Sequence, residues 1–183
     1  MTDTPSHAPH LSRRALIAAG LAGALPVPAR AARGQVVTIL GDSITAGLGL
    51  PGRDALPNQL HLALEKLGVA NIVRGAGVSG DTTAGGLARV DFSVRPDSAV
   101  VVVALGGNDL LQGLDPKATR TNLDGIIRRL QARHKAVVLA GLKAPPEIGR
   151  SYASDFNAVF PALAAEHRVA LYPDLLAGVA RNP

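Results

Sequence analysis

"QVVTILGDSITAG", Gln35 to Gly47, decides the fold. Val36 to Leu40 is an apolar, mostly β-branched run, and the small polar residues Gly41-Asp42-Ser43 end it abruptly. The run is continuous rather than alternating, the pattern of a strand covered on both faces and hence of a parallel sheet. Working outward, four further runs of the same kind recur at Asn71–Val73, Ala99–Leu105, Ala136–Ala140 and Val169–Tyr172. Helical patterns separate them. Leu56, Leu60, Leu64 and Leu67 share one face, with Asp54 as the expected cap and Gly68 as the stop. Thr82 to Val90 forms a shorter helix. Leu123, Ile126, Ile127 and Leu130 mark another, opened by Asp115-Pro116, a cap followed by proline at the first helical position. Tyr152, Phe156, Val159, Phe160 and Leu163 define a last one, which Pro161 should kink. Strands alternating with helices imply right-handed crossovers and a three-layer α/β/α sandwich around a five-stranded parallel sheet.

The chain begins differently. Ser12-Arg13-Arg14 opens an apolar stretch from Ala15 to Leu25, followed by Pro26, Pro28 and the small-residue site Ala29-Arg30-Ala31. This pattern predicts a twin-arginine-type signal peptide over residues 1–31, and so a periplasmic or secreted protein. The run falls well short of the roughly 20 residues a membrane span needs, so no stable membrane anchor is expected. Residues 32–183 then form one domain. The absence of cysteine excludes disulfides, thiol nucleophiles and thiolate metal sites. Arg13, Arg14 and Arg30 against Asp3 account for two of the five net positive charges. With aromatics at 3%, no stacking platform accompanies the scattered cations, and nucleic acid is not an expected partner. The basic cluster Arg128, Arg129, Arg133, His134 and Lys135 closes a helix, a structural use of charge.

In open parallel sheets ligands sit outside the carboxyl ends of the strands. The loops there are Gly41-Asp42-Ser43, Gly75 to Asp81, Gly106-Gly107-Asn108-Asp109 and Leu142 to Arg150. Ester hydrolysis needs a nucleophile exposed at a turn and donors aimed at the oxygen that becomes negative. Ser43 offers a hydroxyl and its own N–H, Gly80 a second N–H with no side chain to obstruct it, and Asn108 a side-chain amide. Taken singly, each has a plain structural use as a cap or turn residue.

"GDSITAG", "GVSGDTTAGGLARV" and "VVVALGGNDLLQG" resemble the first three blocks of the SGNH hydrolases, the GDSL-type esterases and lipases, in order and spacing. "GLKAPPEIGRSYASDFNAVFPALAAEHRVALYPDLL" is similar to the bacterial periplasmic thioesterase/lysophospholipase and arylesterase branch. The resemblance covers nearly all of Val36 to Val179. It implies a flavodoxin-like fold and a serine hydrolase of small-molecule carboxylic esters or thioesters. It also implies Ser43 as the nucleophile, an oxyanion hole from Ser43, Gly80 and Asn108, and no metal or organic cofactor. Leu48, Leu50, Leu110, Leu111 and Leu114 flank these loops, as acyl-pocket lining or as helix packing.

Two rivals compete. G-x-G-x-x-G occurs at Gly47–Gly52 and at Gly75–Gly80. The first starts six residues past its strand and contains Pro51, and no acidic residue ends the strand after the second, so dinucleotide binding is disfavoured. A magnesium site from Asp42, Asp81 and Asp109 lacks a second aspartate beside Asp42.

A serine hydroxyl needs a base, usually an imidazole held by an acid. His7 and His10 lie in the leader, His61 inside the first helix, and His134 and His167 at helix ends that precede strands. The family's Asp–His pair, D-x-x-H before a last helix, has no counterpart here; Asp174 has Ala177, not histidine, three residues on. The expectation is therefore a chain without the catalytic Asp and His and without the last helix. A C-terminally truncated copy, inactive or weak, is the favoured reading. The alternative is a non-catalytic domain that binds esters or carbohydrates, or less readily a nucleotide.

Overall fold

A computed structural model describes residues 34–179 of the chain. The predicted signal peptide at 1–31 lies outside the described residues. The elements run β1 (Gln35–Gly41), α1 (Ser43–Ala46), α2 (Leu56–Lys66), β2 (Asn71–Gly77), α3 (Thr83–Ser93), β3 (Val100–Ala104), α4 (Gly107–Leu111), α5 (Pro116–Ala132), β4 (Ala136–Ala140), α6 (Arg150–His167) and β5 (Ala170–Tyr172). All five strands pair in parallel, in the order β2-β1-β3-β4-β5. This is the expected three-layer α/β/α sandwich. After β1 the chain steps outward to β2 and then returns to the other side at β3. The crevice between β1 and β3 is thus the point where the winding reverses, and the loops beyond their carboxyl ends flank it.

The larger hydrophobic cluster joins one face of the sheet to α3, α5 and α6. Leu40, Val101, Val103 and Leu139 meet Val90, Leu123, Ile126, Ile127, Leu130, Phe156, Phe160 and Leu163, all of them fully buried. Each such side chain contributes about 1.5–3 kcal/mol by leaving water. Phe156 and Phe160 pack edge to face at 5.6 Å between centroids. The opposite face carries a small cluster, Ile39, Ala104 and Ala140, with half-buried Leu56, Leu60, Val73 and Val102 against it.

Local signals behave mostly as the sequence suggests. Asp115 caps α5, accepting from the Lys117 amide at 2.9 Å with Pro116 at the first helical position. Thr82 caps α3 through the Gly85 amide. Asp54 does not cap α2: it sits in a 3₁₀ turn, Gly52–Asp54, and Ala55 takes the cap position without a side-chain bond. Helix α6 continues through Pro161. Strand β2 is longer than its apolar run, reaching Gly77, so two glycines of the second G-x-G-x-x-G lie inside a strand. A β-carbon on Gly77 would collide with the Ala46 amide and lie 2.7 Å from the Asp42 carbonyl. Glycine there lets β2 press against the turn that carries Ser43.

The basic cluster at the end of α5 is structural: Arg128 pairs with Asp124 on the same helix, and Arg129, Arg133 and Lys135 reach a neighbour. Arg129 donates to the Leu87 carbonyl, Arg133 to that of Val94 and Lys135 to that of Pro96, which ties α5 to the end of α3. Arg129 and Arg133 also pair with Asp91.

Candidate active site

Ser43 is the first residue of α1, directly beyond β1, and is half-buried. Asp42 caps that turn, its Oδ1 accepting from the Ile44 amide at 3.0 Å. Asp42 is almost fully buried. Burial pushes its carboxyl above the usual aspartate range; the bond from the Ile44 amide opposes the shift, and the charges of Asp81 and Asp109 add to it.

The second loop folds back on the first. The Val78 amide donates to the Gly41 carbonyl at 3.1 Å, and the Asp81 amide to the Val78 carbonyl at 3.1 Å. Gly80 closes this four-residue turn at φ +84°, with nothing within 4 Å of a β-carbon built there. Backbone conformation rather than space calls for glycine, as at the third position of a type II turn. The third loop meets both. Asn108 Nδ2 donates to the Asp81 carbonyl at 2.8 Å, one residue beyond Gly80. An amide nitrogen carries two hydrogens, so this bond orients Asn108 and leaves it a second donor. A β-carbon on Gly107 would lie 3.1 Å from Asp42 Oδ2, which places this loop against the Ser43 turn.

Two polar residues lock the three loops. Asp109, 1% exposed, accepts from the Thr83 amide at 2.8 Å, from the Thr83 hydroxyl at 2.5 Å and from the Thr119 hydroxyl at 3.2 Å. It fastens the residue after Asn108 to the start of α3 and to α5. Arg89 bonds Asp81 Oδ2, the carbonyls of Ala76 and Gly41, and the Ser93 hydroxyl. Asp42, Asp81 and Asp109 are therefore each engaged by protein groups rather than turned toward one another as a cation site would require. Asp109 thus orders its loop. Arg89 escaped the sequence reading; its signal is a cation on the otherwise small and apolar face of α3 that carries Gly86 and Val90.

The expectation that the chain holds no aspartate–histidine pair is overturned. His167 Nε2 meets Asp124 Oδ1 at 2.7 Å, and the His167 side chain is only 9% exposed. Burial of Asp124 alone would raise its carboxyl, but bonds from His167 and Arg128 outweigh it and hold the group below the usual aspartate range. The inference of a weak or inactive chain for want of such a pair falls with it. Spacing could not reveal it: the partners lie 43 residues apart on α5 and α6. His167 closes α6 three residues before β5 begins, at the amino edge of the sheet, whereas Ser43 follows the carboxyl end of β1. A seven-residue strand separates those edges by about 20 Å. Among the described residues Asp124, Glu166 and His167 also cluster closely enough to share a cation. Arg128 and Arg120 already pair with the two carboxylates. His61 bonds Asn71 at 2.8 Å and lies 3.5 Å from Glu65, on the outer side of β2.

A parallel sheet wound in this order, with a strand-end serine turn, a glycine turn and an asparagine loop gathered over its reversal point, defines an α/β hydrolytic fold of the SGNH type. Residues 39–182 match the model of the GDSL-like Lipase/Acylhydrolase family, and the chain belongs to that family. It is an SGNH/GDSL-type esterase by that membership. Esterase TesA of Pseudomonas aeruginosa is 38% identical over 167 residues, covering 91% of this chain and 83% of that protein. Thioesterase 1/protease 1/lysophospholipase L1 of Escherichia coli is 35% identical over 155 residues, covering 84% and 73%. The crystal structure of AlinE4, an SGNH-hydrolase family esterase, superposes with a TM-score of 0.79 at 42% identity, covering 82% of this chain and 81% of that one. No helix among the described residues is long and apolar enough to cross a membrane.

Proposed function

We propose that Ser43 is the nucleophile of a periplasmic or secreted hydrolase of small-molecule carboxylic esters or thioesters. Its hydroxyl oxygen attacks the carbonyl carbon, its proton passes to the departing alcohol or thiol as the C–O or C–S bond breaks, and water then cleaves the acyl-serine, returning a proton to Ser43 and releasing the carboxylic acid. The amides of Ser43 and Gly80 and the free N–H of Asn108 hold the oxygen that becomes negative in each tetrahedral state. Each fixed donor is worth about 3 kcal/mol there because the charge develops only in the transition state. The observation that carries this reading is the bond from Asn108 to the carbonyl of Asp81, which holds the asparagine loop to the residue after Gly80. Leu48, Leu50 and Leu111, the last 83% exposed, lie beyond the same strand ends and suit the acyl part of a substrate. The relatives' names, esterase, thioesterase and lysophospholipase, agree with an acyl ester or thioester. The leader sequence supports export.

The test is hydrolysis of p-nitrophenyl butyrate and covalent labelling by a p-nitrophenyl phosphonate. Ser43→Ala should abolish both; turnover that survives it overturns the assignment. His167→Asn and Asp124→Asn determine what the carboxylate-held imidazole does. A fall in kcat of about 10³- to 10⁴-fold at unchanged Tm assigns the pair to proton transfer. A lowered Tm with kcat per folded molecule retained assigns it to the packing of α5 on α6.

A further inference from the structure

We infer that Arg89 is a positioning residue that sets the distance between the nucleophile turn and the oxyanion donors; this rests on Ser43 being the nucleophile. Arg89 projects from the middle of α3, and its side chain is 18% exposed. Its guanidinium engages four groups. Nε donates to Asp81 Oδ2 at 2.5 Å, Nη1 to the Ala76 carbonyl at 2.9 Å and to the Ser93 hydroxyl at 3.0 Å, and Nη2 to the Gly41 carbonyl at 2.8 Å.

Three of those partners are the loops of the site. Gly41 ends β1 two residues before Ser43. Ala76 lies one residue before the end of β2, next to the glycine that presses on the Ser43 turn. Asp81 follows Gly80, and its carbonyl receives the Asn108 amide. One planar cation therefore spans the peptide that launches the nucleophile and the residue on which both other donors depend. Guanidinium suits this task because its donors leave in fixed directions in one plane; an ammonium is a point charge that would follow whichever oxygen moved. An oxyanion hole works only if its donors wait at the right separation before the charge appears. Arg89 touches none of the reacting atoms, so its effect passes through Gly41 and Asp81.

Arg89→Lys and Arg89→Ala, with Arg74→Lys as a control on an exposed pair with Asp97, are to be compared for kcat, KM and Tm. Arg89→Lys should lower kcat about 10- to 100-fold with KM within about threefold, since transition-state contacts are lost and ground-state binding is kept. Added guanidinium at millimolar concentration should restore part of the kcat of Arg89→Ala and none of that of Arg74→Lys. Backbone amide exchange at Val78 and Asp81 should speed up in both Arg89 variants while Val101 and Leu139 stay protected. An unchanged kcat per folded molecule in Arg89→Ala, beside a wild type whose turnover needs Ser43, overturns the inference. Where Ser43→Ala leaves wild-type turnover intact, it is the nucleophile assignment that fails. Unchanged exchange at Val78 and Asp81 shows that Arg89 holds neither loop and overturns the inference by itself.

Discussion

The two faces of the sheet are built differently. Toward α3, α5 and α6, Val101, Val103 and Leu139 are fully buried, and α5 and α6 bury five and six residues respectively. Toward α1 and α2, Val102 and Val138 are half-buried, Tyr172 is exposed, and α2 buries no residue at all. Ser43 starts a four-residue helix on the thin side, while Gly80 and Asn108 belong to loops that Asp109 fastens to the thick side. The site straddles the boundary, so its geometry depends on polar ties across it. Packing alone holds only one half.

The largest test of this contrast compares two core truncations. Phe156→Ala removes a fully buried ring from the thick side and should cost about 3–5 kcal/mol. Leu60→Ala on α2 should cost no more than about 1 kcal/mol, because its side chain already touches water and leaves little cavity. Urea unfolding of both variants measures the difference. Equal costs would show that the thin face is as much a part of the core as the other.

The next effect falls on the boundary itself. Asp109→Asn replaces an acceptor of three hydrogen bonds with a group that must present hydrogens to one of its donors. A loss of about 2–4 kcal/mol is expected from buried donors left unpaired. Ester turnover should fall further than stability, because Asn108 is the neighbouring residue. If Tm and turnover both survive, the Thr83 and Thr119 hydroxyls have found other partners and the boundary is less constrained than drawn.

How much of this was legible beforehand follows from the range of each interaction. The sheet, its five strands and most of the helices could be read because periodicity and caps such as Asp115-Pro116 act within one element. Ser43, Gly80 and Asn108 were candidates because each follows a strand, and in a parallel sheet strand ends share an edge; the resemblance to the SGNH hydrolases implied their roles. Arg89 and the Asp124–His167 pair could not, because each joins elements that only tertiary packing brings together. A search for D-x-x-H asks about residues one helical turn apart, whereas Asp124 and His167 face each other across two helices. The cap of α2 was misread for a local reason: Asp54 was drawn into a 3₁₀ turn, one residue too early to reach the helix amides.

The smallest expected effect concerns Asp42, which lies on the boundary and is buried beside Ser43. Its carboxyl is raised, chiefly by burial, so the folded chain holds that proton more readily than the unfolded chain does. The stability this confers is fully present below the ordinary aspartate value of about 3.9 and is lost as pH rises through the raised value. Above the raised value folding has to bury the carboxylate's charge, which works against it. Asp42→Asn keeps an oxygen for the Ile44 amide and carries no charge at any pH. It should raise Tm at pH 7, and the gain should shrink toward zero as the pH approaches 4. A Tm below wild type at pH 7 would mean that the bond from the Ile44 amide to the carboxylate is worth more than the burial it opposes.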